Sequence, residues 1–431
     1  MKYIIDKTKR PIYLQLYKQI RDDIIKGVYP FGGRLPSERI LAEETGVSVI
    51  TAEHAYQLLC DEGYAVSRRR SGYFAVFKKT DGFVRSNDEP PTRSSSPAVD
   101  RIALPADRTP PSADRNSFPI DRPSLSADFA AAASVPFSSA LAAHSAETSF
   151  PSRLTPSAAA SAAPPSYPAF SVSILSKTMR RVLSDYYDVI LEKSPNKGCT
   201  VLKEAIKSYL ARNRGINVDA AQIVIGSGAE YLYGLMVMLL GKDRIYGIES
   251  PSYDVIEKIY KTAGARYELL PLKEDGIDTA ALFKSCASVL HTTPYQSFPS
   301  GVTASASKRH QYIAWSNEND RFIIESDYGS EFAVSSAPME SLFALASRDN
   351  VIYTNTFSKT ISSSLRVGYM VLPKRLAAQF EEKLGFYSCT VPTFEQYVLT
   401  ELLNGGDFER HINRVRRSMR KKLAEKTNRE E

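Results

Sequence analysis

The sequence contains no run of eighteen apolar residues, so it offers no helical membrane span. Its start, Met1-Lys2-Tyr3-Ile4-Ile5-Asp6-Lys7, lacks the apolar stretch and small-residue cleavage site of a secretory signal. Cysteine is scarce: Cys60, Cys199, Cys286 and Cys389 lie far apart, which excludes a disulfide scaffold and any Cys-x-x-Cys zinc knuckle. A reducing cytoplasm fits this usage, and no metal site is expected. Lysine is missing from 80 to 176 and glycine from 83 to 197. A segment with neither has an unusual composition, and it divides the chain.

At 431 residues, the sequence is long enough for two or three domains, and 43% apolar against 24% charged residues is a composition that can build a core. The net charge of +7 is unevenly placed. Residues 1–80 hold 14 Lys/Arg against 9 Asp/Glu, and residues 409–431 hold 9 against 4, so the middle is mildly acidic. A basic N-terminal module on an acidic body points to a polyanion as that module's partner.

Residues 79–168 carry 14 of the 25 prolines and are crowded with alanine and serine. Within them Asp100-Arg101, Asp107-Arg108, Asp114-Arg115 and Asp121-Arg122 recur every seven residues, and Asp128 continues the phase. A coiled coil is excluded by Pro105, Pro110, Pro111, Pro119 and Pro123, each of which removes a donor and blocks helix continuation. The expectation is a disordered linker with balanced charge, and a proline-rich ligand for a partner domain is the alternative.

Residues 1–78 read differently. Ile12, Leu16, Ile20 and Ile24 share one helical face between Pro11 and Lys26. Leu35-Pro36-Ser37-Glu38-Arg39 leads into a second helix through Ala42, Gly46 breaks it, and Ser48 can cap a third helix from Val49 to Cys60. Short strands at 63–67 and 73–77 flank Arg68-Arg69-Arg70-Ser71-Gly72. This order predicts a winged helix-turn-helix, with the third helix in the major groove and the arginine wing on phosphates. A winged helix used for protein contacts is the alternative, and it leaves the three arginines without a role. The run Pro11-Ile12-Tyr13-Leu14-Gln15, with Leu35–Arg39, Gly46-Val47-Ser48, Ala55-Tyr56 and Asp61-Glu62-Gly63-Tyr64, closely resembles the GntR family of bacterial transcription regulators across 10–77. The resemblance implies double-stranded operator DNA as partner, contacted by Arg39, Ser48, Thr51, Arg68, Arg69 and Arg70. Val49 and Glu53 stand where the family often has arginines, which predicts weaker, less salt-sensitive binding.

From 169 onward, strand-like runs at 222–225, 244–248, 288–290, 321–324 and 350–353 alternate with amphipathic helical stretches. That alternation predicts an α/β domain with a mostly parallel sheet, whose ligand lies beyond the carboxyl ends of the strands. Four segments occupy those ends. Gly226-Ser227-Gly228-Ala229-Glu230 can open a helix with bare N–H groups suited to phosphate, or form a tight structural turn. Tyr253 can stack on a flat ring or simply pack. Glu325-Ser326-Asp327-Tyr328 can hold a heterocycle's nitrogen and hydroxyl, or be a solvated loop. Asn355-Thr356-Phe357-Ser358-Lys359-Thr360, with Arg366 beyond it, places a lysine beside hydroxyls and near an arginine, a pattern suited to a Schiff base with pyridoxal phosphate.

Together these segments resemble the fold-type I aminotransferases over about 180–420. With the N-terminal module, the whole resembles the MocR subfamily of GntR regulators. Ala205–Gly215 and Thr293–Gly301 extend the match. The resemblance implies Lys359 as the Schiff-base lysine, Arg366 on the phosphate with Gly228 and Ala229, Tyr253 stacked on the ring, Tyr328 on the ring hydroxyl, and the hydroxyls of Thr356 and Ser358 beside the cofactor. The family's carboxylate for the ring nitrogen falls on Ser326, so either Asp327 replaces it through a register shift or the cofactor chemistry is weakened. The family's small C-terminal domain is expected to be largely missing from this sequence, and the basic helix from about Phe408 to Glu425 leads towards it. The expected function is that of a cytoplasmic, homodimeric transcription regulator that senses pyridoxal phosphate, with an amino compound as effector and at most residual transamination. An aminotransferase with an accessory DNA-binding domain, and a truncated regulator that no longer senses cofactor, are the alternatives.

Overall fold

The computed structural model describes residues 3–8, 11–68, 71–78, 168–333 and 340–430. The proline-rich segment with its Asp-Arg repeat lies outside these residues, as do Arg69 and Arg70.

The N-terminal module follows its sequence pattern closely. Helix α1 (Ile12–Lys26) buries Leu16, Tyr17, Ile20 and Ile24, one face of a 3.6-residue period. Ser37 caps α2 (Glu38–Thr45), and Ser48 caps α3 (Val49–Asp61) by accepting from the Thr51 N–H, a cap worth about 1 kcal/mol. Between them Gly46 adopts φ 65°, a left-handed turn that a side chain would strain. The wing strands β1 (Ala65–Arg68) and β2 (Gly72–Ala75) pair antiparallel, so the observed hairpin is tighter than the one expected from the sequence.

The body opens with α4 (Val172–Asp185), α5 (Tyr187–Ile190) and α6 (Thr200–Asn213). It continues through β3 (Ile223–Gly226), α7 (Ala229–Leu240), β4 (Ile245–Ser250), α8 (Asp254–Thr262), β5 (Arg266–Lys273), β6 (Gly276–Ile277), α9 (Thr279–Lys284), β7 (Val289–Thr292) and α10 (Ala306–Ser316). Then follow β8 (Phe322–Ser326), α11 (Leu342–Leu345), β9 (Val351–Thr356), β10 (Gly368–Val371), α12 (Lys374–Leu384), α13 (Thr393–Asn404) and α14 (Asp407–Glu430). The strand order is β3-β10-β9-β8-β7-β4-β5-β6. The central strands β9, β8, β7, β4 and β5 run parallel, while β10 is antiparallel to both β3 and β9. Strand β10 was not anticipated: Gly368-Tyr369-Met370-Val371 is short and has no turn residues that announce a reversal.

Strands β3, β7, β8, β9 and β10 are buried on both faces, which explains their near-continuous apolar runs, whereas β5 is largely exposed. Alternation divides them. Val224, Ile324, Ile352 and Met370 face α7, α8 and α12, whereas Ile225, Tyr353, Tyr369 and Val371 face α6, α13 and α14. Helix α10 serves two cores. Ala306 packs into the winged-helix core, while Tyr312, Ile313 and Trp315 pack under β7 and β8. The winged-helix module and the body therefore share a helix at their junction.

Candidate functional site

The strands converge their carboxyl ends on one edge of the sheet, and the sequence-predicted residues gather there. Gly228 and Ala229 follow β3, Tyr253 follows β4, Tyr328 follows β8, and Lys359 follows β9. Two clefts near the opposite strand ends, about 360 and 380 Å³, are lined by Arg348, Asn350 and Lys374 and by Lys207, Asp219 and Gln222. They lie at the amino ends of β9 and β3, where this sheet class does not bind ligands.

Lys359 Nζ lies 4.5 Å from the centre of the Tyr328 ring and 3.5 Å from the Tyr328 carbonyl. Gly329 leaves the room it needs, since a Cβ there would collide with the lysine side chain. Burial pushes the Lys359 ammonium below the usual lysine range, opposed by Glu331 and Asp327. Loss of charge is what makes an amine nucleophilic. Arg366 crosses the start of α7, with its guanidinium 3.2 Å from where a Gly228 Cβ would stand. Tyr253 and Tyr328 are 42% and 46% exposed, so each leaves part of its ring open to a ligand. Thr356 is buried at the end of β9, and the Ser358 hydroxyl donates to the Leu365 carbonyl at 3.3 Å.

Asp327 does not belong with them. Successive residues of an extended strand face opposite sides. Ser326 turns towards α7, where it meets His291 Nε2 at 3.0 Å and the Tyr233 hydroxyl at 2.5 Å. Asp327 turns the other way, paired with Arg214 at 2.8 Å and accepting from the Tyr353 hydroxyl at 2.6 Å. Both members of the ion pair are buried. Turning the carboxylate round would break this buried ion pair at a cost of about 3–5 kcal/mol. The expected register shift is therefore corrected: Asp327 is an ion-pair partner on the far face, and a neutral hydroxyl remains at position 326. His291, driven down to about 3 by burial, is neutral and brings no charge either.

A further buried carboxylate braces the rim. Glu249 accepts from the Thr292 hydroxyl, from the Thr293 N–H at 3.0 Å and from the Ser297 hydroxyl at 2.7 Å. Burial raises its carboxyl to about 7, partly offset by these donors. It thereby ties the end of β4 to the loop carrying Phe298, whose ring lies 6.3 Å from that of Tyr253.

On the N-terminal module, Arg39 and Arg68 are exposed, and Arg68 lies over the Phe74 ring at 4.6 Å. Ser48 and Thr51 share a hydroxyl contact of 2.8 Å within the helix cap. The open face of α3 consists of Val49, Ile50, Glu53, His54 and Gln57. It is a mixed surface, with apolar atoms that can meet a thymine methyl.

Sequence reasoning did not single out Arg214, His291, Tyr233, Glu249 or the junction pair Glu62 and Arg309. Arg214 and Glu62 stood inside quoted segments, but their roles depend on neighbours more than 100 residues away.

This arrangement is a fold-type I aminotransferase body carrying a winged helix-turn-helix. Residues 12–75 match the bacterial regulatory proteins of the gntR family, and residues 189–429 match aminotransferase class I and II. The chain belongs to the aminotransferase class I and II family and, with its gntR-type module, to the MocR-type regulators that join the two. It is 29% identical to the uncharacterized HTH-type transcriptional regulator YdeL of Bacillus subtilis over 96% of this chain and 78% of that protein. It is 26% identical to the probable rhizopine catabolism regulatory protein MocR of Rhizobium meliloti, over 94% of this chain and 74% of that protein. Among solved structures, the Pyrococcus horikoshii kynurenine aminotransferase in complex with PMP superposes with a TM-score of 0.52 at 26% identity, covering 58% of this chain. The chain spans 65% of that enzyme's length, just under two thirds. No helix among the described residues is long and apolar enough to cross a membrane.

Proposed function

We propose that the protein is a DNA-binding transcription regulator whose aminotransferase-like body binds pyridoxal phosphate as a signal. The observation that carries this reading is Lys359, desolvated beside Tyr328 at the strand ends, with Arg366 across the start of α7.

The donor set fits the cofactor's binding groups. Lys359 would hold the aldehyde, Arg366 with the first N–H groups of α7 the phosphate, and Tyr253 and Tyr328 the ring. When bound, pyridoxal phosphate supplies an aldehyde that amines attack and a conjugated ring that withdraws electrons. The residues present support the first use better than the second. Ser326 is a neutral hydroxyl engaged with His291 and Tyr233, so it cannot hold a proton on the ring nitrogen by charge. That favours sensing over turnover and counts against an aminotransferase with an accessory DNA-binding domain.

The winged helix would bind operator DNA through α3, with Arg39, Ser48, Thr51 and Arg68 to Arg70 on phosphates and bases. Cofactor occupancy shifts DNA affinity only if the two body states hold the module differently. The test pairs two measurements on the full chain. Visible absorbance with added pyridoxal phosphate, fixed to Lys359 by borohydride, checks the cofactor half. A cofactor-dependent change in affinity for the protein's own promoter region at low salt checks the regulatory half. A protein that stays colourless and traps nothing at Lys359 contradicts the cofactor half.

A further inference from the structure

The arginine assigned to the phosphate is already occupied. Arg366 Nη2 donates to Glu230 Oε2 at 2.8 Å, across 136 residues of chain. Glu230 is the second residue of α7, so its carboxylate stands beside the N–H groups that open the helix. A carboxylate in a first helical turn is ordinarily favourable through the helix dipole. Here it also captures the guanidinium that reaches over Gly228, and it places a negative charge where a phosphate would bring more.

We propose that Glu230 is a specificity-determining residue. It holds Arg366 across the start of α7 and must be displaced by the phosphate of an incoming ligand, which makes phosphate recognition weak and reversible. This rests on the reading of the body as a pyridoxal phosphate site. Both partners are about half exposed, at 50% and 46%, so the pair is easily opened and contributes little to folding. Its effect falls on the ligand: the carboxylate competes for the same fork of donors and repels a group carrying close to two negative charges at neutral pH. A site tuned this way responds to cofactor concentration and does not retain the cofactor permanently.

The test titrates the full chain with pyridoxal phosphate and with unphosphorylated pyridoxal, following absorbance and borohydride trapping. Wild type, Glu230→Gln and Arg366→Gln are compared. Glu230→Gln is expected to bind pyridoxal phosphate about tenfold more tightly while its affinity for pyridoxal stays unchanged. Inorganic phosphate should compete correspondingly better in that variant. Arg366→Gln should erase the preference for the phosphorylated ligand. Thermal unfolding without ligand should be nearly the same in all three, which separates ligand effects from folding. Wild type that binds while Glu230→Gln binds equally or more weakly overturns the role of Glu230 and leaves the cofactor reading standing. No binding by either protein overturns both.

Discussion

Arg309 of α10 is fully buried and grips Glu62, the residue that caps the C-terminus of α3. Its guanidinium donates to the Glu62 carboxylate at 3.1 Å and to the Glu62 carbonyl at 2.6 Å. The same carboxylate accepts the Glu340 N–H at 2.9 and 3.0 Å, and the Glu340 side chain pairs with Arg21 at 2.7 Å. Beside them Tyr64 meets His310 at 3.1 Å. Burial pushes the Glu62 carboxyl up and Arg309 opposes it, so the two charges tolerate the interior only together.

Removing one partner should therefore cost much more than an exposed pair. Arg309→Met is expected to lose about 3–5 kcal/mol in urea unfolding, or to release the winged helix to proteolysis while the body stays folded. Glu62→Leu combined with Arg309→Met should recover part of that loss, because neither charge is then buried alone. The double variant should still bind DNA but lose its response to pyridoxal phosphate. A full response in that variant would place the coupling elsewhere.

Lys359→Ala tests the body without disturbing this junction. The side chain is half-buried over Tyr328, and truncating it should change stability by no more than about 1–2 kcal/mol. It should abolish visible absorbance and borohydride trapping. Affinity for DNA at low salt should equal that of the wild type without cofactor, and added cofactor should no longer change it.

Much of this architecture was legible in the chain. The face Ile12-Leu16-Ile20-Ile24, the cap Ser48 and the turn at Gly46 are local signals, and each forms as read. The five apolar runs of the body became strands because burial on both sheet faces demands such runs. What stayed hidden depends on partners distant in sequence. Nothing local says that Asp327 faces Arg214 while Ser326 faces His291; strand phase decides it, and phase is fixed by the whole sheet. Likewise Glu230 reads as a helix-start acid until Arg366, 136 residues on, is found against it.

Arg68 offers a test of the DNA-binding face. It is exposed on the wing and held over Phe74, at the end of the hairpin that should meet the backbone. Arg68→Ala should weaken binding to all sequences by a similar factor, since a phosphate contact carries no base information. The slope of log affinity against log salt should flatten by about 1. A change confined to one operator position would instead indicate base readout by the wing.

Glu249 makes stability depend on pH in a stated direction. Its carboxyl, raised to about 7 by burial, keeps a proton that the unfolded chain releases near 4.5. Between those values the folded state binds more protons, so stability falls as pH rises. The contribution is complete below about 4.5 and is lost as pH passes through 7. Glu325, also raised to about 7 by burial and by Asp327, acts in the same sense. Glu249→Gln should keep the bonds to Thr292, Thr293 and Ser297, because its amide can accept from two of these donors and donate to a hydroxyl. The variant should therefore gain about 1–3 kcal/mol on wild type between pH 5 and pH 8 in urea unfolding, with the remaining slope left to the other raised carboxyls, Glu325 and Glu331 among them. A wild-type advantage that is equal at both pH values would mean that Glu249 is ionised throughout. The loop bearing Phe298 would then be held against Tyr253 by a charged carboxylate instead of a neutral one.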